Sequence, residues 1–564
     1  MSKKSTLPDF QSDNSQADKQ WTSAPRSQNS SRVLDEFRHK RGPLRALMFL
    51  VLLVIFGLIA TLAVRNVNKE EVFGGILPGV ETNGQTLSIG MLSQPQHLDP
   101  RTDPAAARLL VSTVYQGLTA RDQKNRVTNT GLAKSWKVSS DGLHYTFTLR
   151  TAYFATGTPV TSQYVVKSFQ ALSEQKLGGD LLAHVSAITN TDAKTVKMDL
   201  SQPDPLLLTK LAGPLGIVYE ASAGSSFDGD HLPAGSGPYS FSTRNGGTLR
   251  LSSNPQYKAA RTSARPAFDA ISVKYFPSSH ELFESFRKGS LDGAIGLDAQ
   301  DYQSAKADKD LSSRLVTGPS TQRAVVVFNA NDNSLNSDLR YRLIYRMVFN
   351  RDELLKVSGS SGFVNASPLN SLELGYKDAL KGQENDLEKA KQDVRYFVMY
   401  YGWTTFTMAL SPDFPQAVAD KMVEQTEAMG DHLKLVRLNA QQWHDEVTNA
   451  PEGKMKYDMA AFLDSGLYTF SKFTHDTWWH FDSVEADKAY EAASTAKTQK
   501  EYEQQIDQAA QHLLANQPWT WLYQMNSVSL WKKGFTGMPT SMLDEWVDLS
   551  NVATTGSSPS SSSK

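Results

Sequence analysis

A chain of 564 residues exceeds what one ordinary hydrophobic core organises, so several layers and two lobes or domains are expected. Its 58 Lys and Arg balance 59 Asp and Glu to a formal net charge of -1, which supplies no electrostatic drive toward nucleic acid or another polyanion. The absence of cysteine excludes disulfides, thiolate metal sites, a cysteine nucleophile and a lipid-modified cysteine.

Residues 1–43 are polar and poor in large apolar side chains, which predicts a disordered tail. Residues 44–64, LRALMFLVLLVIFGLIATLAV, are almost continuously apolar and long enough as a helix to cross roughly 30 Å of hydrocarbon. Arg38, His39, Lys40, Arg41 and Arg45 precede or open this run, against Arg65 and Lys69 after it. That bias predicts a single-pass anchor in the cell membrane, with a cytoplasmic N-terminus and an extracytoplasmic globular part. A signal peptide cleaved near Ala60, Thr61 and Ala63 and a buried core helix are the alternatives.

A Gly and Pro containing spacer, 65–83, leads into the strand-like TLSIGML. Alternation in LHYTFTLR and AISVKYF predicts further strands, whereas LFESFRKG, DLEKAKQDVRYFVMYYG and KEYEQQIDQAAQHLLAN have helical periodicity. Gly402 marks one helix end. Trp136, Tyr145 and Phe147 read as core aromatics. The Ser-rich 553–564 reads as a flexible tail. The mixture predicts an α/β protein without an internal repeat.

Several segments carry an identity in their order and spacing: YQGL at 115–118, GLAKSW at 131–136, DGLHYTFTLR at 141–150, FATGTPVTSQYVVKSFQ at 154–170, PAGSGPYSF at 233–241, RPAFDAISVKYF at 265–276 and FRKGSLDGAI at 286–295. DLEKAKQDV, KYDMA at 456–460 and GFTGMP at 534–539 complete the series. Together they resemble the bacterial extracellular solute-binding proteins of family 5, which include dipeptide, oligopeptide and nickel receptors, and the resemblance spans nearly all of 86–550. It implies a bilobal periplasmic-binding-protein-like fold, type II and cluster C, behind the N-terminal transmembrane helix. Lobe I would comprise 84–325 plus 521–552 and lobe II 326–520, with crossings near VVVFNAN and WTWLYQM as the hinge. In GSGPY, Gly235, Gly237 and Pro238 would take the chain sharply past an adjacent strand.

By the same resemblance, the chain would be the substrate-binding subunit of an ABC importer, partnered by permease and ATPase subunits. It would close over a peptide-like or other small solute. The candidate ligand contacts are His97, Tyr115, Tyr468, Trp478, Trp479, Trp521 and Tyr523; an ordinary surface histidine is the alternative for His97, and packing for Trp478 and Trp479. In peptide-binding members an aspartate after YDM pairs with the peptide ammonium. Here the segment reads YDMAAFLDSGLYTF, which places Leu467 or Tyr468 near that position and leaves Asp464 as an exposed loop carboxylate or a shifted substitute. Free-amino-terminus peptides are therefore doubtful ligands.

No catalytic constellation emerges. GSSG at 359–362 lacks the nucleophile-elbow pattern, and no phosphate loop is present. His475 and His480 miss the one-turn spacing of a zinc helix, and Asp228 and Asp230 lack a full calcium pattern. The expectation is a protein that is not an enzyme, with no cofactor and no metal. A sensory or interaction module that keeps the bilobal fold is the alternative function, and an extracytoplasmic hydrolase a weaker third.

Overall fold

Two strands of unusual length organise the molecule. In this computed structural model the described residues are 85–221, 227, 232–257, 266–330, 334–377, 385–402, 405–450, 455–474, 479, 481, 483–541 and 546–555. All of them fall in one compact unit, Thr82–Lys564. The apolar run 44–64 lies outside the described residues; among these, no helix is long and apolar enough to cross a membrane.

The main sheet has eleven strands: β1 Thr86–Leu92, β2 Tyr239–Asn245, β3 Thr248–Ser253, β4 Ala270–Phe276, β5 Gly293–Ile295, β6 Leu315–Phe328, β7 Gly362–Val364, β8 Thr405–Leu410, β9 His432–Arg437, β10 Met459–Asp464 and β11 Trp519–Trp531. Across the sheet they run β2-β3-β4-β1-β5-β11-β6-β10-β8-β9, with β7 also on β11. The antiparallel pair β6 and β11 carries the sheet from one lobe into the other. Leu315–Pro319 lie against Asn526–Leu530, Arg323–Val327 lie against Trp519–Gln524, and the register shifts in between. On the first half β11 is flanked by β5, and on the second half β6 is flanked by β10. The pairing of β6 with β11 is thus interrupted at 319–323 opposite 524–526, a few residues before the apolar VVVF run.

The apolar patterns explain the layers. Leu87, Ile89 and Met91 of β1 are buried with Tyr115, Trp531 and Trp546 in the core of lobe I. VVVF at 325–328 is buried on both sides of the sheet, the pattern expected where each face is covered. One face packs on Tyr341, Tyr345 and Phe406, the other on Phe473, Trp479, Trp519 and Trp521. The long periodic helices form at Leu387–Tyr401 and Gln499–Asn516, with Asp386 and Thr498 capping their first turns.

A separate antiparallel sheet was not evident in the sequence. Its strands, Ala133–Val138, His144–Leu149, Thr195–Leu200 and Val185–Asp192, pair in that order and have their own core around Phe147, Val196 and Met198. Tyr145 and Phe147 are core residues as expected, while Trp136 is only partly buried at the edge. The GSGPY segment does pass close to its neighbour. Gly237 N donates to Val114 O over 2.9 Å, and a Cβ on Gly235 would fall 2.0 Å from that carbonyl. Close approach, rather than a left-handed turn, is what requires glycine there.

Candidate functional site

A cavity of about 440 Å³ opens where four parts of the molecule meet. Its walls come from the loop at 100–104, the segment 206–215 after the four-stranded sheet, Thr321 in the register shift of β6, and the turn 466–468 after β10. Such a volume falls within the range of small-molecule sites.

The first wall is fixed by a helix cap. Asp103 precedes the helix Pro104–Leu110, and its carboxylate accepts from Gln96 N, His97 N, Ala105 N and Ala106 N. Burial opposes the charged form, yet those four donors together hold its pKa below the ordinary aspartate value. Beside it, Arg101 forms a two-point pair with Asp99 at 2.9 and 2.8 Å and lies 4.3 Å over the Phe227 ring.

The opposite wall is the turn at Gly466–Tyr468. Tyr468 takes a left-handed φ of 57°, a costly conformation for a bulky residue, and its N–H donates to Glu373 Oε1. The Tyr468 hydroxyl accepts from Asn125 Nδ2 at 3.1 Å. Burial foremost, then the neighbouring Glu373 charge, pushes the Tyr468 phenol up to about 12. Glu373 is buried, and its pKa is raised by that burial against the opposing pull of Arg323. Asn125 belongs to the hairpin joining Ala120–Arg121 to Val127–Thr128. It also donates to Leu372 O at 3.0 Å and accepts from Arg121 Nη1 at 3.2 Å.

Asp464 corrects an expectation. It is not an exposed loop carboxylate but a buried residue ending β10, 2.6 Å from Arg323 Nη2 and 2.6 Å from Lys472 Nζ. Arg323 also donates to Pro368 O at 2.7 Å. Both Asp464 oxygens are thus paired with cations.

Of the residues proposed from sequence, Tyr468 lines the cavity. His97 stands behind its rim with an exposed side chain, Nε2 2.8 Å from Thr102 Oγ1. Tyr115 is fully buried in the lobe I core, donating to Pro233 O at 2.9 Å. Trp479 and Trp521 are core residues packed about Trp519, with ring centroids 5.2 and 6.3 Å from it. Tyr523 is buried in the core on the other face of the sheet. Large apolar rings gain most from exclusion of water, and here they serve the cores. Trp478, His475, His480, Asp228 and Asp230 lie outside the described residues. The sequence reading missed Arg101, Arg121, Asn125, Thr321 and Glu373; only the position of Arg121 directly after YQGLTA offered a signal.

Residues 128–484 match the model for bacterial extracellular solute-binding proteins, family 5. The chain is 25% identical over 505 residues to the protein named "Probable D,D-dipeptide-binding periplasmic protein DdpA" from Escherichia coli strain K12, covering 83% of this chain and 94% of that one. Its fold matches the unliganded open form of the periplasmic murein tripeptide binding protein MppA with a TM-score of 0.71 at 20% identity, over 84% of this chain and 98% of the other. NikZ from Campylobacter jejuni, solved with Ni(L-His), matches with a TM-score of 0.62 at 19% identity, over 81% and 96%.

Proposed function

Because this chain belongs to the bacterial extracellular solute-binding proteins, family 5, we propose that it is the substrate-binding subunit of an ABC importer and captures a peptide-like or other small solute between its lobes. The observation that carries this reading is the cavity itself, lined by the loop after β1, the segment 206–215, Thr321 of β6 and the turn after β10. A solute touching all walls favours approach of the lobes by the difference between its affinities for the closed and open forms. Permease and ATPase subunits are the partners such a role requires. The apolar run 44–64 with its cationic N-terminal flank tethers the chain to the outer face of the cell membrane, with the N-terminus cytoplasmic.

Calorimetric titration of the detergent-solubilised full chain tests capture. The panel comprises D,D-dipeptides, murein tripeptide, ordinary di- and tripeptides, opines and nickel-histidine. Saturable heat from at least one member is expected; silence across the panel sinks the reading. Release of the intact chain from membranes by an alkaline wash would contradict the tether.

A further inference from the structure

Three hydrophobic cores reach the wall of the cavity. Leu467 on that wall packs against the core that holds Tyr115 and Trp531, Leu206 and Tyr468 against the one that holds Phe473 and Trp519, and Leu215 against the core of the four-stranded sheet around Phe147. These leucines and the tyrosine remain partly exposed, so apolar surface meets water inside a ligand-sized space. That contact is unfavourable in proportion to its area, and an apolar group entering the space removes it. Pro214 opens the short helix Pro214–Gly216 on the same wall, and its fixed φ stiffens the segment that carries Leu215.

The charged side chains on these walls already have partners. Arg101 pairs with Asp99 and Lys210 with Asp204, at 2.8 and 2.7 Å. Asp103 accepts four backbone N–H groups. Arg121 donates to Asn125 Oδ1 at 3.2 Å and has further interactions within the protein. The Tyr468 hydroxyl meets Asn125 and Thr209, which leaves its ring as the part a solute touches. Asp180 is exposed, so water and salt screen its charge. A charged group entering the cavity would lose hydration and meet counter-ions that are engaged elsewhere.

We propose that the cavity receives a large apolar side chain of the solute, aromatic or branched aliphatic, so that the protein chooses its ligands by that group and not by a charge placed there. Burying such a side chain joins the cores through the ligand and takes the exposed parts of Leu206, Leu215, Leu467 and Tyr468 out of water. This rests on reading the cavity as the solute site.

Calorimetric titration of the detergent-solubilised full chain with trialanine, and with tripeptides that replace each alanine in turn by Leu, Phe, Lys or Glu, tests the assignment. The best Leu or Phe peptide binds ~10-fold or more tightly than trialanine, with a more negative heat-capacity change. Every Lys or Glu peptide stays within ~3-fold of trialanine or binds more weakly. Leu467→Asn brings the best apolar peptide to within ~3-fold of trialanine. Leu215→Asn, in a different segment and against a different core, does the same and keeps the test decisive if the first variant does not fold. A Lys or Glu peptide that binds as tightly as the best apolar one overturns the proposal, as do equal affinities or equal heat-capacity changes for trialanine and the apolar peptides, or a full apolar preference in either variant. Silence of every tripeptide overturns it too, whereas solute capture as such falls only if the wider panel is also silent.

Discussion

Asn125 Nδ2 lies 3.1 Å from the Tyr468 hydroxyl, joining the hairpin of Ala120–Arg121 and Val127–Thr128 to the turn that follows β10. The same amide nitrogen reaches Leu372 O at 3.0 Å, so one side chain fastens two segments far from it in sequence. Asn125 has a left-handed φ of 59° and is buried; asparagine tolerates that conformation better than most residues.

Asn125→Gly keeps the backbone conformation accessible and removes the fastening. We expect a loss of ~1–3 kcal/mol in urea unfolding, because two buried acceptors lose their donor. Tyr468→Phe should cost a comparable ~1–3 kcal/mol, since it removes the phenol oxygen that meets Thr209 as well as Asn125. Equal stability of Asn125→Gly and wild type would show that the contact carries no energy.

The Arg323–Asp464 pair is buried at 2.6 Å. Arg323→Met should destabilise by ~3–5 kcal/mol, because the Asp464 carboxylate stays buried and loses a partner. The double substitution Arg323→Met with Asp464→Leu should recover most of that loss. Chemical denaturation of the three proteins checks the ordering, and a double variant worse than either single one contradicts it.

Glu373 imposes a pH dependence of definite sign. Burial raises its folded pKa above the ordinary 4.5, so the folded state holds the proton more tightly than the unfolded chain. Its contribution is fully present below pH 4.5 and is lost as pH rises through the higher folded value. Glu373→Gln removes this titration. Melting temperatures followed upward from pH 4.5 should therefore show wild type losing stability relative to the variant across that window; parallel curves would refute the assignment.

Gly235 tests the close passage of GSGPY. An added Cβ would meet Val114 O at 2.0 Å, and that oxygen is backbone, unable to swing aside. Gly235→Ala should cost ~1–3 kcal/mol, the range for forcing atoms into packed space. An unchanged denaturation midpoint would show that the two segments can separate freely.

The strands were legible because alternation and burial agree: TLSIGML, HYTFTL and AISVKYF all form strands. The register shift between β6 and β11 was less so. The apolar run VVVF reflects a sheet covered on both faces, whereas the register shift lies in the polar stretch GPSTQR. The cavity was the least readable part. Asn125 and Tyr468 are 343 positions apart in sequence, and no local pattern announces such a meeting. Trp521 and Tyr523 drew notice as large aromatics, the very property that sends them into cores. Asp464 looked exposed because loops usually are, whereas Arg323, far earlier in the chain, draws it inside.

β6 and β11 each continue from one half of the main sheet into the other, so the two halves are joined by the backbone of both strands. Heating should accordingly give a single calorimetric transition, and severing the chain in the polar stretch before Arg323 should dissolve both halves together instead of liberating two autonomous folding units.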